Sequence, residues 1–137
     1  MISRRIRIAA LAALVFGIAT IFAGGSVLFG PDAARAAAGA MVPFVLWFNF
    51  LAGFAYVTAA IGLWRGVAWA PGLALAILTG TVIVALGFAL HVAGGGDFAP
   101  RTVGGLALRA LVWAVISFLA WQDRPAAMGN PDGEDRT

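Results

Sequence analysis

Residues 71–92 read PGLALAILTGTVIVALGFALHV, a run without a single Asp, Glu, Lys or Arg. About 20 apolar residues in a helix cross the roughly 30 Å hydrocarbon core of a bilayer, so this run predicts a membrane span. Its opening proline is tolerated because the first N–H groups of a helix have no intrahelical partner. Outward from it, three further apolar runs have similar length: about 8–28, about 42–64 with Pro43 in its first turn, and about 102–121, which holds one charge, Arg109. These four nearly exhaust the 137 residues. The reading is therefore an all-α integral membrane four-helix bundle, one domain over residues 1–121. Short connecting turns make neighbouring spans antiparallel, up and down. The remaining QDRPAAMGNPDGEDRT, residues 122–137, is rich in Asp, Gly and Pro and predicts a disordered cytoplasmic tail.

Composition points the same way. Hydrophobic residues make up 62% and charged residues 11% of the chain, against roughly 25% charged in a soluble domain. Lipid is thus the first expected partner. With no cysteine, disulfides, thiolate metal sites and cysteine nucleophiles are excluded. All nine cationic side chains are arginines scattered without a basic block, so nucleic acid is not an expected partner. Arg4, Arg5 and Arg7 before an apolar run could also open a signal peptide. That run, however, exceeds the about 7–15 residues of a signal core, and the nearest small-x-small site, at Ala36 and Ala38, lies far downstream. It is expected to stay as a span.

Arginine bias in short loops sets orientation. One side collects Arg4, Arg5, Arg7, Arg65, Arg124 and Arg136, and the other holds Arg35, Arg101 and the span-embedded Arg109. Both termini are then cytoplasmic, in a multi-pass protein of a bacterial inner membrane. Trp64, Trp69 and Trp121 fall at the inner interface and Trp47 near the outer one, as an aromatic belt does.

Small residues let membrane helices approach one another. The spacing predicts packing stripes of Asn49, Gly53, Tyr56 and Ala60 in the second span, Gly80, Val84, Gly87 and His91 in the third, and Thr102, Gly105, Arg109, Trp113 and Ser117 in the fourth. Asn49 and Arg109 each lie about seven residues inside the outer end of their span, roughly 10 Å deep at 1.5 Å per residue. His91, nearer the surface, is within reach of a snorkelling arginine. Asn49, Tyr56, His91, Asp97 and Arg109 are accordingly the candidate polar cluster, with Asp97 the counter-charge for Arg109. Each has a structural reading beside the functional one: Arg109 at headgroups or paired with Asp97, His91 as an interfacial hydrogen bond, and Asn49 and Tyr56 as interhelical glue. The glycines 94–96 lack the lysine and hydroxyl of a phosphate loop and read as a turn. The aromatics of VPFVLWFNF, 42–50, read as interface anchors and lipid-facing bulk.

The stretch LAGFAYVTAAIGLWRGVAWAPGLALAI, 51–77, resembles the second helix, loop and third-helix start of DoxX-like proteins, small four-helix bacterial membrane proteins. Ala52 and Gly53, Ala59 and Ala60, and Gly66 carry the likeness, with His91 to Gly96 and the pair Gly104 and Gly105 similar too. Tyr56 stands where that family often has an acid, so the acid's role does not carry over. The resemblance implies a subunit associated with membrane redox systems, such as quinone-linked sulfur oxidation or oxidative-stress complexes.

Enzyme motifs are absent: one histidine cannot complete a serine–histidine–acid set, and no paired carboxylates lie within a span. No metal site and no resident cofactor are expected. Two functions stay open. One is a non-catalytic accessory or assembly subunit of a bacterial inner-membrane complex linked to respiratory or redox chemistry, with other membrane subunits as partners. The other is a small homo-oligomeric carrier, or a quinone- or haem-binding protein, with an outer-leaflet site near Arg109.

Overall fold

The computed structural model describes residues 2–124. All regular structure among them is helical: α1 (Arg4–Phe29), α2 (Asp32–Ala38), α3 (Pro43–Arg65), α4 (Ala70–Ala93) and α5 (Pro100–Gln122). Helices α1, α3, α4 and α5 are each long and apolar enough to cross a membrane. At most 33% of each span's apolar window is buried, so most of the helical surface is left to lipid. Ile18 and Phe22 on α1, Leu86 and Leu90 on α4, and Leu111 and Phe118 on α5 all point outward.

The principal contacts are α1 on α3, α3 on α4 and α4 on α5, with a slighter contact between α5 and α1. The α1–α3 seam is built from small residues. Ala9, Ala10, Ala13, Gly17, Thr20 and Gly24 are buried on α1, and Ala52, Gly53, Tyr56, Ala59 and Ala60 are buried on α3. Gly17 and Gly53 form the closest crossing: a Cβ on Gly17 would sit 3.1 Å from the Gly53 carbonyl oxygen, and one on Gly53 would sit 3.2 Å from that of Gly17. Reciprocal approach of Cα to carbonyl oxygen is the geometry of interhelical Cα–H···O contacts. Lipid gives no hydrophobic reward for helix pairing, so this close packing supplies the attraction.

Helix ends follow local chemistry. Ser3 caps α1, accepting from the Ile6 N–H at 3.3 Å while its hydroxyl donates to the Asp123 carboxylate, which ties the start of α1 to the end of α5. Gly66 (φ 67°) and Gly95 (φ 84°) adopt the left-handed conformation that favours glycine. Each closes its helix with paired bonds, Val67 N–H to Gly62 and Gly66 N–H to Leu63, then Gly96 N–H to His91 and Gly95 N–H to Val92. Both are Schellman motifs.

Four features depart from the sequence reading. Helix α1 begins at Arg4 rather than near residue 8, because the Ser3 cap recruits the arginine cluster into its first turns. The connection after α1 contains the helix α2, formed by an alanine-rich segment of high helix propensity. Residues 122–124, expected in the tail, are instead held at the bundle end, with Arg124 stacked 3.1 Å over the Trp121 ring; the rest of the expected tail lies outside the described residues. The stripe glycines of α4, Gly80 and Gly87, do not meet a neighbouring backbone. Gly80 and Gly87 receive the rings of Phe48 and Phe44, at 3.5 and 3.6 Å from an added Cβ, so these two aromatics pack partly against protein rather than serving only lipid.

Gly53→Leu is expected to drive α1 from α3 and to cost about 1–3 kcal/mol or more as overpacking, read as a lowered unfolding temperature in detergent. Gly104→Ala, where an added Cβ meets nothing within 4 Å, leaves that temperature unchanged.

Candidate ligand cleft at Arg109

The bundle centre is aromatic and polar. Tyr56 of α3, Thr81 of α4 and Trp113 of α5 are each 0% exposed. The Tyr56 and Trp113 rings lie 4.8 Å apart at 44°, and Phe16, next to Gly17 on α1, stacks on Tyr56 at 5.8 Å and 7°. The Arg109 guanidinium carbon sits 6.0 Å from the Phe16 centroid, at the limit of a cation–π contact. All four long helices therefore contribute to one contiguous cluster.

Polar satisfaction within the cluster is incomplete. Thr81 donates to the Ile77 carbonyl at 2.8 Å. Thr81, Trp113 and Arg109 surround the Tyr56 hydroxyl within polar reach, without a well-formed hydrogen bond to it from Arg109 Nε or Trp113 Nε1, and Ser117 Oγ and Asn49 Oδ1 are buried without a partner. Of these atoms, Arg109 Nε and Trp113 Nε1 can only donate, the hydroxyls do both, and only Asn49 Oδ1 is restricted to accepting.

Two members of this set reach a cleft. A cavity of ≈ 220 Å³ lies between the end of α1, the α2 connection and the starts of α3 and α5. Its polar lining comprises Asn49, Arg101, Thr102 and Arg109, and its apolar lining includes Val27, Val42, Val45 and Leu46. The arginine runs back along its own helix, so that a Cβ on Gly105 would meet Nη1 at 2.9 Å. Gly105 thereby makes room for the guanidinium. Arg35 is nearby in sequence to the cleft wall but committed elsewhere. Its Nε and Nη2 donate to the Val27 and Leu28 carbonyls at 3.0 and 2.9 Å, satisfying the C-terminal end of α1.

The five candidate residues separate into two groups. Asn49 and Arg109 share the cleft, and Tyr56 lies beside Arg109 within the bundle. His91 and Asp97 are absent from the cleft lining. The His91 ring covers Gly96, its Nε2 is 3.2 Å from the Asp97 carbonyl oxygen, and it meets the edge of Phe44 at 6.4 Å. The Schellman turn folds that carbonyl back over the histidine, so His91 serves the α4–α5 turn, and exposed Asp97 is no lining partner for Arg109. Phe16 and Thr81 were not anticipated as neighbours of the site. Phe16 lies in a uniformly apolar run, and Thr81 is one step off the stripe marked by the α4 glycines.

Chemically, the cleft can bind. Asp32, Asp97 and Asp123 are exposed, and none lines it; its ionic character comes from arginine, which does not exchange protons in proteins. Among the described residues, no three His, Cys, Asp or Glu side chains gather into a group able to hold a metal.

His91→Ala is expected to cost about 0.5–1.5 kcal/mol, the value of one hydrogen bond. Trp113→Ala, which empties the centre, is expected to cost about 3–5 kcal/mol. Thermal unfolding of the purified variants in one detergent ranks the two. Comparison of the chain with family models, with characterised proteins and with solved structures finds no match.

Proposed function

We propose that this chain is a small multi-pass protein of a bacterial cytoplasmic membrane that binds a lipid-soluble ligand in the Arg109 cleft without transforming it. One observation carries the reading: Arg109 and Asn49, polar residues within spans, line one cleft, and Arg109 Nε and Asn49 Oδ1 lack a well-formed hydrogen bond within the bundle. An arginine within a span costs about 2.5–3.5 kcal/mol on insertion scales and marks function by default. A ligand head group that accepts from Arg109 and donates to Asn49, or bridges the latter through water, offsets that cost. A quinone carbonyl would find donors in this cleft. Haem would not find an axial imidazole there, since His91 belongs to the α4–α5 turn.

The proposed topology is antiparallel with both termini cytoplasmic. It is supported by the register of α1 on α3, where Gly24 meets Phe50, Gly17 meets Tyr56 and Ile2 approaches Gly66, and by the arginine excess at the end where Ser3 meets Asp123. In this orientation the cleft opens in the outer leaflet.

A second reading, favoured by a different observation, is the accessory or assembly subunit of a redox-linked membrane complex. Gly72 on α4 and Gly104 on α5 are exposed with no atom near an added Cβ, as on faces that admit another helix closely. The same faces would serve a homo-oligomer, and the resemblance to DoxX-like subunits belongs with this reading.

The chain has no cysteine, so single substitutions report topology cleanly. Asp97→Cys and Asp32→Cys are expected to react with an impermeant thiol reagent applied outside intact cells, and Asp123→Cys only after permeabilisation; the reverse pattern overturns the orientation. Protein extracted in a mild detergent is expected to carry an amphiphile detectable by mass spectrometry of its organic extract. Arg109→Leu and Asn49→Leu should lose that amphiphile while eluting as the parent does on size exclusion. An empty parent, or variants that keep the molecule, overturns the binding reading. Stoichiometric partner subunits in place of a ligand would support the second.

A further inference from the structure

We infer that the head group taken by the cleft is an oxyanion carried on an acyl chain; this rests on the binding reading above and names its ligand class. Charge is the first argument. Two arginines, Arg101 and Arg109, line the cleft and no carboxylate does. The acids at this end of the bundle, Asp32 and Asp97, are exposed and outside the lining. Arg35, the remaining cation at this end, is occupied by the carbonyls of α1. An uncompensated guanidinium beside a low-dielectric wall favours an anion over a neutral carbonyl, and both over an ammonium group.

Geometry is the second argument. The Arg109 side chain is turned toward the start of α5, into the space that Gly105 leaves free. At that start Pro100 has no N–H, and Ala99 offers no side-chain cap, so the positive end of a helix of 23 residues is left unneutralised by the chain itself. Thr102, one turn from the helix start, adds a hydroxyl to the same lining. An oxyanion presents several lone pairs to the donors of Arg101, Arg109 and Thr102 that line the cleft, with water between it and Asn49 Oδ1. A single carbonyl oxygen cannot satisfy so many.

Size and apolarity give the acyl chain. A volume of ≈ 220 Å³ is below the roughly 300–1,000 Å³ of sites that enclose a whole drug-sized molecule. The cleft therefore holds a head group. Val27, Val42, Val45 and Leu46 supply an apolar wall beside it, along which a hydrocarbon tail can pass into the bilayer. The shared chemistry is met by a phospholipid phosphate and by a fatty-acid carboxylate.

The test is native mass spectrometry of the full chain in detergent with four separate probes: dioleoylphosphatidylglycerol, oleate, dioleoylphosphatidylcholine and oleyl alcohol. One equivalent of phosphatidylglycerol or oleate is expected to bind at least about tenfold more tightly than the zwitterionic and neutral probes. The better of the two names the source, phosphate or carboxylate. Arg109→Leu should abolish the preference, Arg109→Lys should keep part of it, and Arg101→Ala, at an exposed position, should weaken binding severalfold without endangering the fold. If Arg109→Leu does not fold, the Arg101→Ala and Arg109→Lys results decide. Equal binding of all four probes, with dependence on Arg109, overturns the oxyanion inference and leaves the binding reading standing. Failure of every probe to bind overturns both. Inorganic phosphate that competes as well as the lipids overturns the acyl-chain requirement.

Discussion

The contact on which the rest of the molecule depends is the crossing of Gly17 and Gly53. Four apolar helices in lipid gain nothing from hiding apolar surface, so their association rests on atoms brought close enough for dispersion and weak hydrogen bonding. At this crossing each backbone lies against the other, with Ile21 and Val57 filling the flanks. Its consequences run one residue or one turn along each chain. Phe16 precedes Gly17 and Tyr56 follows Gly53 by three positions, so the same approach that joins α1 to α3 stacks Phe16 on Tyr56. Tyr56 then seats Trp113, and Phe16 presents its ring to Arg109. Packing at two glycines thus fixes the floor on which the arginine rests.

That floor is stable by shape and incomplete in its hydrogen bonds. Its rings pack closely and Thr81 bonds the Ile77 carbonyl, whereas Arg109 Nε, Trp113 Nε1 and Ser117 Oγ lack a well-formed hydrogen bond. A bundle selected for stability alone would use apolar residues of similar volume, since an incompletely satisfied polar cluster is worse than an apolar core. Retaining donors beside a cleft has a physical rationale when something supplies acceptors.

Much of this was legible in the sequence because helix periodicity and lipid act on it simply. The four runs stand out by their apolar length, three of them without a charge and the fourth with Arg109 alone, and the α5 stripe from Thr102 to Ser117 is more buried than Leu108, Leu111, Val115 and Phe118, which face outward. Counting residues puts Asn49 and Arg109 at similar depth in their helices, and both line the cleft. What could not be read depends on the details of crossings and turns. Glycines in α4 looked like a backbone-contact stripe, but a glycine notch accepts an aromatic ring equally well, and Phe44 and Phe48 occupy it. Nor can residue counting foresee that a Schellman turn brings the Asp97 carbonyl, rather than its carboxylate, to His91. Thr81 escaped notice because a threonine that bonds its own helix is common in apolar spans.

The arginines away from the cytoplasmic end of the proposed topology complete the argument. Positive charge is disfavoured on the translocated side of short loops, so each such residue needs a compensating role. Arg35 has one in the structure itself, since α1 ends in carbonyls that its guanidinium satisfies from the following helix. Arg101 and Arg109 line the cleft with no carboxylate among its walls, and Arg109 Nε is buried without a well-formed hydrogen bond. Gly105 is spared a side chain where that guanidinium lies. A residue that only needed to reach headgroups would extend past the helix surface, without a glycine seat, an asparagine opposite and an aromatic floor beneath. The arrangement holds the charge in place, and a charge held in place within the bilayer is the condition for recognising the group that carries the opposite one.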